Sequence, residues 1–146
     1  MRVAGLVVEI ARRPSASVVV LEGSFRDPNI VEIFHLTTTG NDTAQQAHDM
    51  ATNLRNRLHG LQIDRVIVRK ADRPPRPSNK EGPRLRLVVE GALIGAAKDV
   101  VDHSEIINGR DAAGRVGISK SALDAAGREL SGEQSQAAAA ALAAFA

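Results

Sequence analysis

The chain has 146 residues, of which 43% are hydrophobic and 25% charged, a composition typical of globular proteins, and we expect one domain over residues 1–146. It contains no cysteine, which excludes disulfides, thiolate metal sites and cysteine nucleophiles. Three Phe and no Trp or Tyr argue against an aromatic platform for single strands, and a formal net charge of only +2 means that affinity for nucleic acid would require a local cluster of cations.

The first part of the chain predicts three strands joined by short turns. Residues 1–9 (MRVAGLVVE) form an apolar, β-branched run that is typical of a buried central strand. Residues 18–22 and 30–38 have the same character, and the turns between the strands carry Pro14 and the pair Asp27 and Pro28. Short links between successive strands predict an antiparallel meander.

A helix and a fourth strand follow. Asp42 has the position of an N-cap, and Gln45 three residues later completes the spacing of a capping box. Apolar residues then recur at helical spacing as far as Leu58, and Gly60 is the expected end of the helix. Residues 63–68 (IDRVIV) predict a strand that returns to the sheet through a parallel crossover.

Beyond this strand, residues 71–83 contain four prolines and predict an irregular loop. Residues 85–101 predict a second long helix with a broad apolar face. Gly91 and Gly95 lie four residues apart in it, a spacing that would allow another element to approach closely.

The last part of the chain predicts a short strand and two helices. The strand covers residues 105–107, and the next helix begins at a cap at Ser119 or Ser121 and ends before Gly127. Ser131 and Gln134 have the spacing of a capping box for a final alanine-rich helix that reaches residue 146.

This order of elements resembles the RNase H-like fold, and within it the RuvC/YqgF group of Holliday-junction resolvases. MRVAGLVVE resembles the opening strand of that group, IDRVIVRKA resembles its fourth strand, and EQSQAAAAALAAF resembles its terminal helix. The resemblance implies an α/β fold with a central five-stranded mixed sheet, three antiparallel strands followed by parallel strands, flanked by helices.

The resembled nucleases hold two magnesium ions with acidic side chains, and this sequence departs from that pattern. Val7 stands where the first strand of the group has an aspartate, Arg69 and Lys70 stand where the fourth strand has a glutamate, and Gln136 stands where the last helix has an aspartate. Of the acids near these positions only Glu9 and Glu133 remain. We therefore expect no catalytic residues, no bound metal and no cofactor.

The strongest concentration of positive charge surrounds the proline-rich loop. If this loop lies beside the position of the resembled active site, its cations would contact phosphates; the alternative is a solvated loop that keeps the protein soluble. The residues expected to bind nucleic acid are Arg69, Lys70, Arg73, Arg76, Lys80, Arg84 and Arg86.

Other kinds of site have less support. His35, His48, His59 and His103 do not have the spacing of metal ligands. No apolar run approaches the roughly 18 residues that a membrane span requires, and the N-terminus lacks the features of a secretion signal, so we expect a cytoplasmic protein without a membrane partner.

Three functions follow as hypotheses. The first is a catalytically inactive RNase H-like domain that binds branched or duplex nucleic acid or serves in a nucleic-acid-processing assembly. The second is a protein-interaction module that forms a homodimer through residues 85–101 or joins a larger assembly, without binding nucleic acid. The third is an active nuclease in which Glu9 and Glu133, with Asp102 or Asp72, bind magnesium in a rearranged site.

Overall fold

A computed structural model describes residues 1–72 and 81–146. Within these residues there are five strands and five α-helices. They follow one another in the order that the sequence predicts, except that the short helix after the fifth strand was not expected. In chain order they are β1 Arg2–Ile10, β2 Pro14–Gly23, β3 Pro28–Leu36, α1 Thr43–Leu61, β4 Arg65–Arg69, α2 Glu81–Val100, β5 His103–Ile107, α3 Gly109–Val116, α4 Lys120–Ser131 and α5 Ser135–Ala143, with a 3₁₀ turn at Gly132–Gln134 before α5.

The strands form one sheet in the order β3-β2-β1-β4-β5, so β1 is central. The pairs β1–β2 and β2–β3 are antiparallel, whereas β4 pairs with both β1 and β5 in parallel. The expected mixed sheet is therefore confirmed. Because β1, β4 and β5 are parallel, their carboxyl ends meet at one edge of the sheet, which positions the residues at 7–13, 69–72 and 107–109 near one another.

Helices cover both faces of the sheet. Alternate residues of β1 point to opposite faces: Leu6 and Val8 pack with α1 and α2, and Val3 and Val7 pack with α5 and its neighbours. The continuous apolar run in the opening strand follows from this arrangement, since a central strand covered on both sides has no face that contacts water.

The alanine-rich helix α5 lies directly against the backbone of β1. A Cβ on Gly5 would collide with the backbone of Ala137 and Ala141, and a Cβ on Gly127 of α4 would collide with the Ser135 carbonyl. All residues from Ala137 to Ala144 are buried. Small side chains are required here because the helix axis approaches both the strand and α4 closely.

Several expected boundaries differ from the structure. Helix α1 continues past Gly60 to Leu61 and ends at Gln62, whose φ of 55° places it in the left-handed region. Helix α4 begins at the expected cap, Ser119, but passes through Gly127 because this glycine makes room for α5 rather than ending the helix. Ser131 does not cap α5; its hydroxyl donates to the Gly127 carbonyl.

The N-terminal cap of α1 is confirmed in part. Asp42 accepts a hydrogen bond from the Gln45 amide at 2.8 Å, as expected of an N-cap. The Gln45 side chain does not complete the capping box and donates instead to Asp49.

The expectation for helix α2 requires correction. It begins at Glu81, so residues 81–83 belong to the helix rather than to the preceding loop, whose residues 73–80 lie outside the described chain. Gly91 and Gly95 are not points of close approach: apart from the adjacent backbone of α2, no described atom lies within 4 Å of a Cβ built on either. No helix among the described residues combines the length and apolar character needed to cross a bilayer.

Candidate functional site

The residues expected to replace the metal ligands do meet at the carboxyl ends of β1 and β4. Val7 pairs with Arg69 in the parallel register of β1 and β4, and with Ser17 on the other side. Val7 is 4% exposed. The row of paired residues continues across the sheet, because Ser17 pairs with His35 on β3 and Arg69 pairs with Ile107 on β5.

Val7 also lies beside the start of α5. A pocket of about 210 Å³ is lined by Val7, Glu9, Glu133, Gln134, Ser135 and Gln136. The structure thus brings Val7 together with Gln136 and with both remaining acids. Asp102 is not part of this cluster, since it precedes β5 and lies at the opposite edge of the sheet.

This cluster does not fit two magnesium ions. Mg²⁺ takes octahedral oxygen ligands, usually including carboxylates, and the valine side chain has no oxygen to offer. Within residues 1–72 and 81–146, no three His, Asp or Glu side chains are arranged to hold a metal. Glu9 and Glu133 are both exposed and belong to different elements, so water solvates them.

Arg69 fills the space beside Val7 and is held there by an ion pair. Its guanidinium donates to the Asp124 carboxylate of α4, with NH1–Oδ1 at 2.5 Å and NH2–Oδ2 at 3.3 Å. The Arg69 side chain is 4% exposed and that of Asp124 is 24% exposed. The guanidinium also lies against Gly109, where a Cβ would collide with it. A buried arginine requires such a partner, because an unpaired buried charge is strongly unfavourable.

The burial of Arg69 changes its expected role. The sequence suggested that Arg69 contacts phosphates, but its charge is directed into the protein and neutralised by Asp124. Lys70, the next residue, is exposed. Successive residues of a strand point to opposite faces, which explains why neighbouring cations have opposite environments.

A second and larger pocket, of about 770 Å³, lies on the other side of the β4 end. It is formed where β1 and β4 end and α2 begins, and Lys70, Arg84 and Arg86 are among its lining residues. Three of the residues expected to bind nucleic acid therefore lie together. Apart from the buried Arg69, the remaining three of the seven expected residues, Arg73, Arg76 and Lys80, lie outside the described residues.

Sequence reasoning missed three features near this edge. Arg12 and Arg13 form the β1–β2 turn at the same edge as Lys70; Arg12 is exposed, and Arg13 donates to Asn41. Asp124, the partner of Arg69, was not considered. The Ser17 hydroxyl lies 3.3 Å from the Nδ1 of His35 in the row that contains Val7. The two arginines could have been identified from their position immediately after the opening strand.

Comparison with known proteins identifies the fold. No family model and no curated protein matches the sequence. Among the solved structures that are similar is Thermus thermophilus RuvC, with a TM-score of 0.70, 16% identity and coverage of 98% of this chain and 92% of that one. Another is T. thermophilus RuvC in complex with a Holliday junction substrate, with a TM-score of 0.70, 14% identity and coverage of 98% and 91%. The chain has the RNase H-like fold of RuvC.

Proposed function

We propose that this protein is a RuvC-like domain that binds nucleic acid without cleaving it by a metal-dependent mechanism, alone or as a subunit of a nucleic-acid-processing assembly. The observation that carries the proposal is the buried ion pair of Arg69 and Asp124 beside Val7. A fixed cation and an apolar side chain stand at the sheet position where the resembled nucleases have acids.

Electrostatics supports the absence of a metal centre. The carboxylate oxygens of Asp124 both accept from the Arg69 guanidinium, so the acid nearest to Arg69 is occupied by an ion pair and is not free to bind a divalent cation. Glu9 and Glu133 are the only acids that line the smaller pocket among the described residues, fewer than a two-metal phosphodiesterase uses.

Positive charge at the same edge of the sheet supports nucleic-acid binding. Arg12 and Lys70 are exposed, and Arg84 and Arg86 follow at the beginning of α2. Each phosphate contact made by such a cation adds affinity that does not depend on sequence and that weakens with salt. A binding surface here would explain why cations gather at this edge in a chain whose net charge is only +2.

The binding test is a mobility-shift titration of a four-way junction and a linear duplex at low and high salt. We expect the protein to bind both substrates with an affinity that weakens with salt. The double variant Arg12→Glu with Lys70→Glu should lower this affinity by about tenfold or more, because each substitution replaces an attraction by a repulsion. Arg26→Glu is the matched control, since Arg26 is exposed in the β2–β3 turn at the opposite edge. Absence of binding to any of these substrates at low salt would refute the proposal.

The catalytic part has a separate test. The alternative is a rearranged metal site at Glu9 and Glu133, which line one pocket. Incubation of a four-way junction with the protein in Mg²⁺ or Mn²⁺ should yield no cleavage. Cleavage that Glu9→Gln abolishes would show that the nuclease alternative is correct.

Self-association through α2 is a second candidate function, favoured by the exposed face of that helix. Leu87 and Val88 are 65% and 48% exposed, and Gly91 and Gly95 lie open on the same side. A homodimer that buries this face would explain these exposed apolar residues. Val89 is buried, so a test variant should change Val88 instead. Light scattering should give a dimer that Val88→Glu dissociates; a monomer in both cases would reject the dimer.

A further inference from the structure

The larger pocket has features of a small-molecule site that binding to a phosphate backbone does not require. Its walls include the apolar side chains Ile10, Pro83 and Leu87, and its volume of about 770 Å³ falls in the range of ligand pockets. Leu87 is 65% exposed although it lines this concave surface. An apolar wall of this kind is suited to a ligand with an apolar portion.

The pocket also lies where open α/β sheets commonly bind ligands. Ile10 ends β1, Lys70 and Ala71 follow β4, and Asn108 follows β5, so the pocket is outside the carboxyl ends of the three parallel strands. Crevices at this edge of a parallel sheet, next to the strand where the order reverses, are the usual ligand sites of such folds. Here the order reverses at β1, which has β2 on one side and β4 on the other.

The charge around the pocket favours an anion. The Lys70 ammonium makes no ion pair or hydrogen bond with any other described residue, and Asp72 is neutralised by Lys120 at 2.6 Å. Arg86 donates its Nε to Glu90, which leaves its two terminal nitrogens for other partners. Among the described residues that line the pocket, Lys70 thus offers an unpaired positive charge, whereas the only lining acid, Asp72, is paired.

Glu90 fixes the two charged walls relative to each other. It is 1% exposed, and its Oε2 accepts both the Arg86 Nε at 3.1 Å and the Ala71 amide at 2.9 Å. One carboxylate therefore joins the end of β4 to α2 and orients the Arg86 guanidinium. Its Oε1 is buried without a hydrogen-bond partner among the described residues. A buried carboxylate with one unsatisfied oxygen is costly, and its position behind the pocket wall fits a site whose shape has to be held fixed.

We propose that this pocket binds a nucleotide, with its phosphate at Lys70 and Arg86 and its base against Ile10 and Leu87. A nucleotide combines a charged phosphate with a flat, largely apolar base, which matches a pocket with cationic and apolar walls. Asn108 also lines the pocket; its Oδ1 accepts from the Asp111 amide, which leaves its NH₂ group as a donor for a ligand. The nucleotide is either free or the unpaired end of a strand; only the second source rests on the proposed function.

Calorimetric titration measures how much the phosphate and the nucleoside each contribute to the affinity. The probes are deoxyadenosine monophosphate, deoxyadenosine and inorganic phosphate, each added to the full chain at low salt. We expect the monophosphate to bind at least about tenfold more tightly than either of the others, because only it uses both kinds of wall. Equal affinity of the monophosphate and inorganic phosphate would overturn the proposal.

Two charged substitutions of exposed apolar residues provide matched variants. Leu87→Glu should weaken binding of the monophosphate by about tenfold or more, since it places a carboxylate in the pocket. Ile30→Glu adds the same charge at an exposed residue of β3, next to the β2–β3 turn at the opposite edge of the sheet, and should change the affinity by less than about twofold. Val88→Glu, which alters the exposed face of α2 outside the pocket lining, shows how much of the effect of Leu87→Glu comes from self-association. Lys70→Glu tests the phosphate end, with Arg26→Glu as its control.

Strand binding distinguishes the two sources. If free monophosphate binds too weakly to measure, a duplex with a single-nucleotide 3′ overhang should still bind more tightly than a blunt duplex, and Leu87→Glu should remove that difference. If the monophosphate binds but no duplex or junction does, the pocket assignment holds and the proposed function fails. If duplexes bind without preference for the overhang and the monophosphate does not bind, the pocket assignment fails and the proposed function holds.

Discussion

Removal of the Asp124 carboxylate should destabilise the protein far more than removal of its partner. In Asp124→Ala the Arg69 guanidinium, 4% exposed, keeps its charge and loses both charge-assisted hydrogen bonds. In Arg69→Met the remaining Asp124 carboxylate is 24% exposed, so water can solvate it, and the methionine fills part of the vacated volume. The two halves of one ion pair therefore differ in how well solvent can compensate for a lost partner.

The magnitude follows from these exposures. Removal of one partner from a buried pair costs about 3–5 kcal/mol, and the partial exposure of Asp124 favours the lower end, about 3 kcal/mol. For a domain of this size each kcal/mol lowers the melting temperature by about 2–4 °C, which gives a decrease of about 6–12 °C. Arg69→Met should cost about 1 kcal/mol, because water can reach the Asp124 carboxylate that it leaves unpaired. The double variant Arg69→Met with Asp124→Leu should be close to the wild type in stability, since an apolar replacement of a buried pair is often neutral.

Urea unfolding followed by circular dichroism measures these differences. The exposed pair of Lys120 and Asp72 serves as the control, because Lys120→Ala should cost less than about 1 kcal/mol. If Asp124→Ala costs no more than Arg69→Met, the guanidinium is not a buried charge that depends on Asp124, and the main support for the proposed loss of metal-dependent activity is removed.

Three further predictions concern other parts of the fold. Gly5→Ala should destabilise the protein by about 2 kcal/mol or more, because the added Cβ collides with α5. Gly91→Ala should stabilise it by about 0.5–1 kcal/mol, because the added Cβ has open space around it. Thermal melts that show the reverse order would contradict the described packing. Asp42→Ala should cost about 1 kcal/mol through the lost N-cap of α1, measured by urea unfolding, and an unchanged midpoint would contradict it. The hydrogen bond from the Arg115 guanidinium holds the pKa of Glu105 below its usual 4.5, so this pair adds stability at neutral pH that is lost as the pH falls through the lowered pKa. The difference in melting temperature between the wild type and Glu105→Gln should therefore shrink between pH 6 and pH 2. A constant difference would rule out this coupling.

The antiparallel meander and the parallel return of the fourth strand were predictable from local patterns, because apolar runs identify buried strands and a strand–helix–strand unit favours a parallel crossover. The position of Val7 beside Arg69 was expected only from the resemblance to the RuvC/YqgF group, because local patterns do not determine which strand lies next to β4. The partner of Arg69 was not predictable in this way. Asp124 lies 55 residues away on a helix whose orientation depends on tertiary packing.

Three glycines were misinterpreted because the role of a glycine also depends on tertiary packing. Gly127 looked like the end of a helix, and Gly91 and Gly95 looked like a contact surface. In the structure Gly127 is the contact and the other two are open, because a missing Cβ has the same appearance in a sequence whether it ends a helix, permits a close approach or faces solvent. Helix α3 was missed although Asn108 and Gly117 flank it as caps, because it is only 8 residues long.

The contact between Gly5 and α5 has a consequence for how this protein can change. Where main chain rests on main chain, no side chain is available to adjust its rotamer, and any added atom must be accommodated by displacement of the whole helix. Substitution is thus restricted at the middle of the opening strand, while Glu9 at its carboxyl end is exposed and meets no such restriction. Changes at the exposed rim of this sheet can therefore alter its surface without displacing the helix behind it.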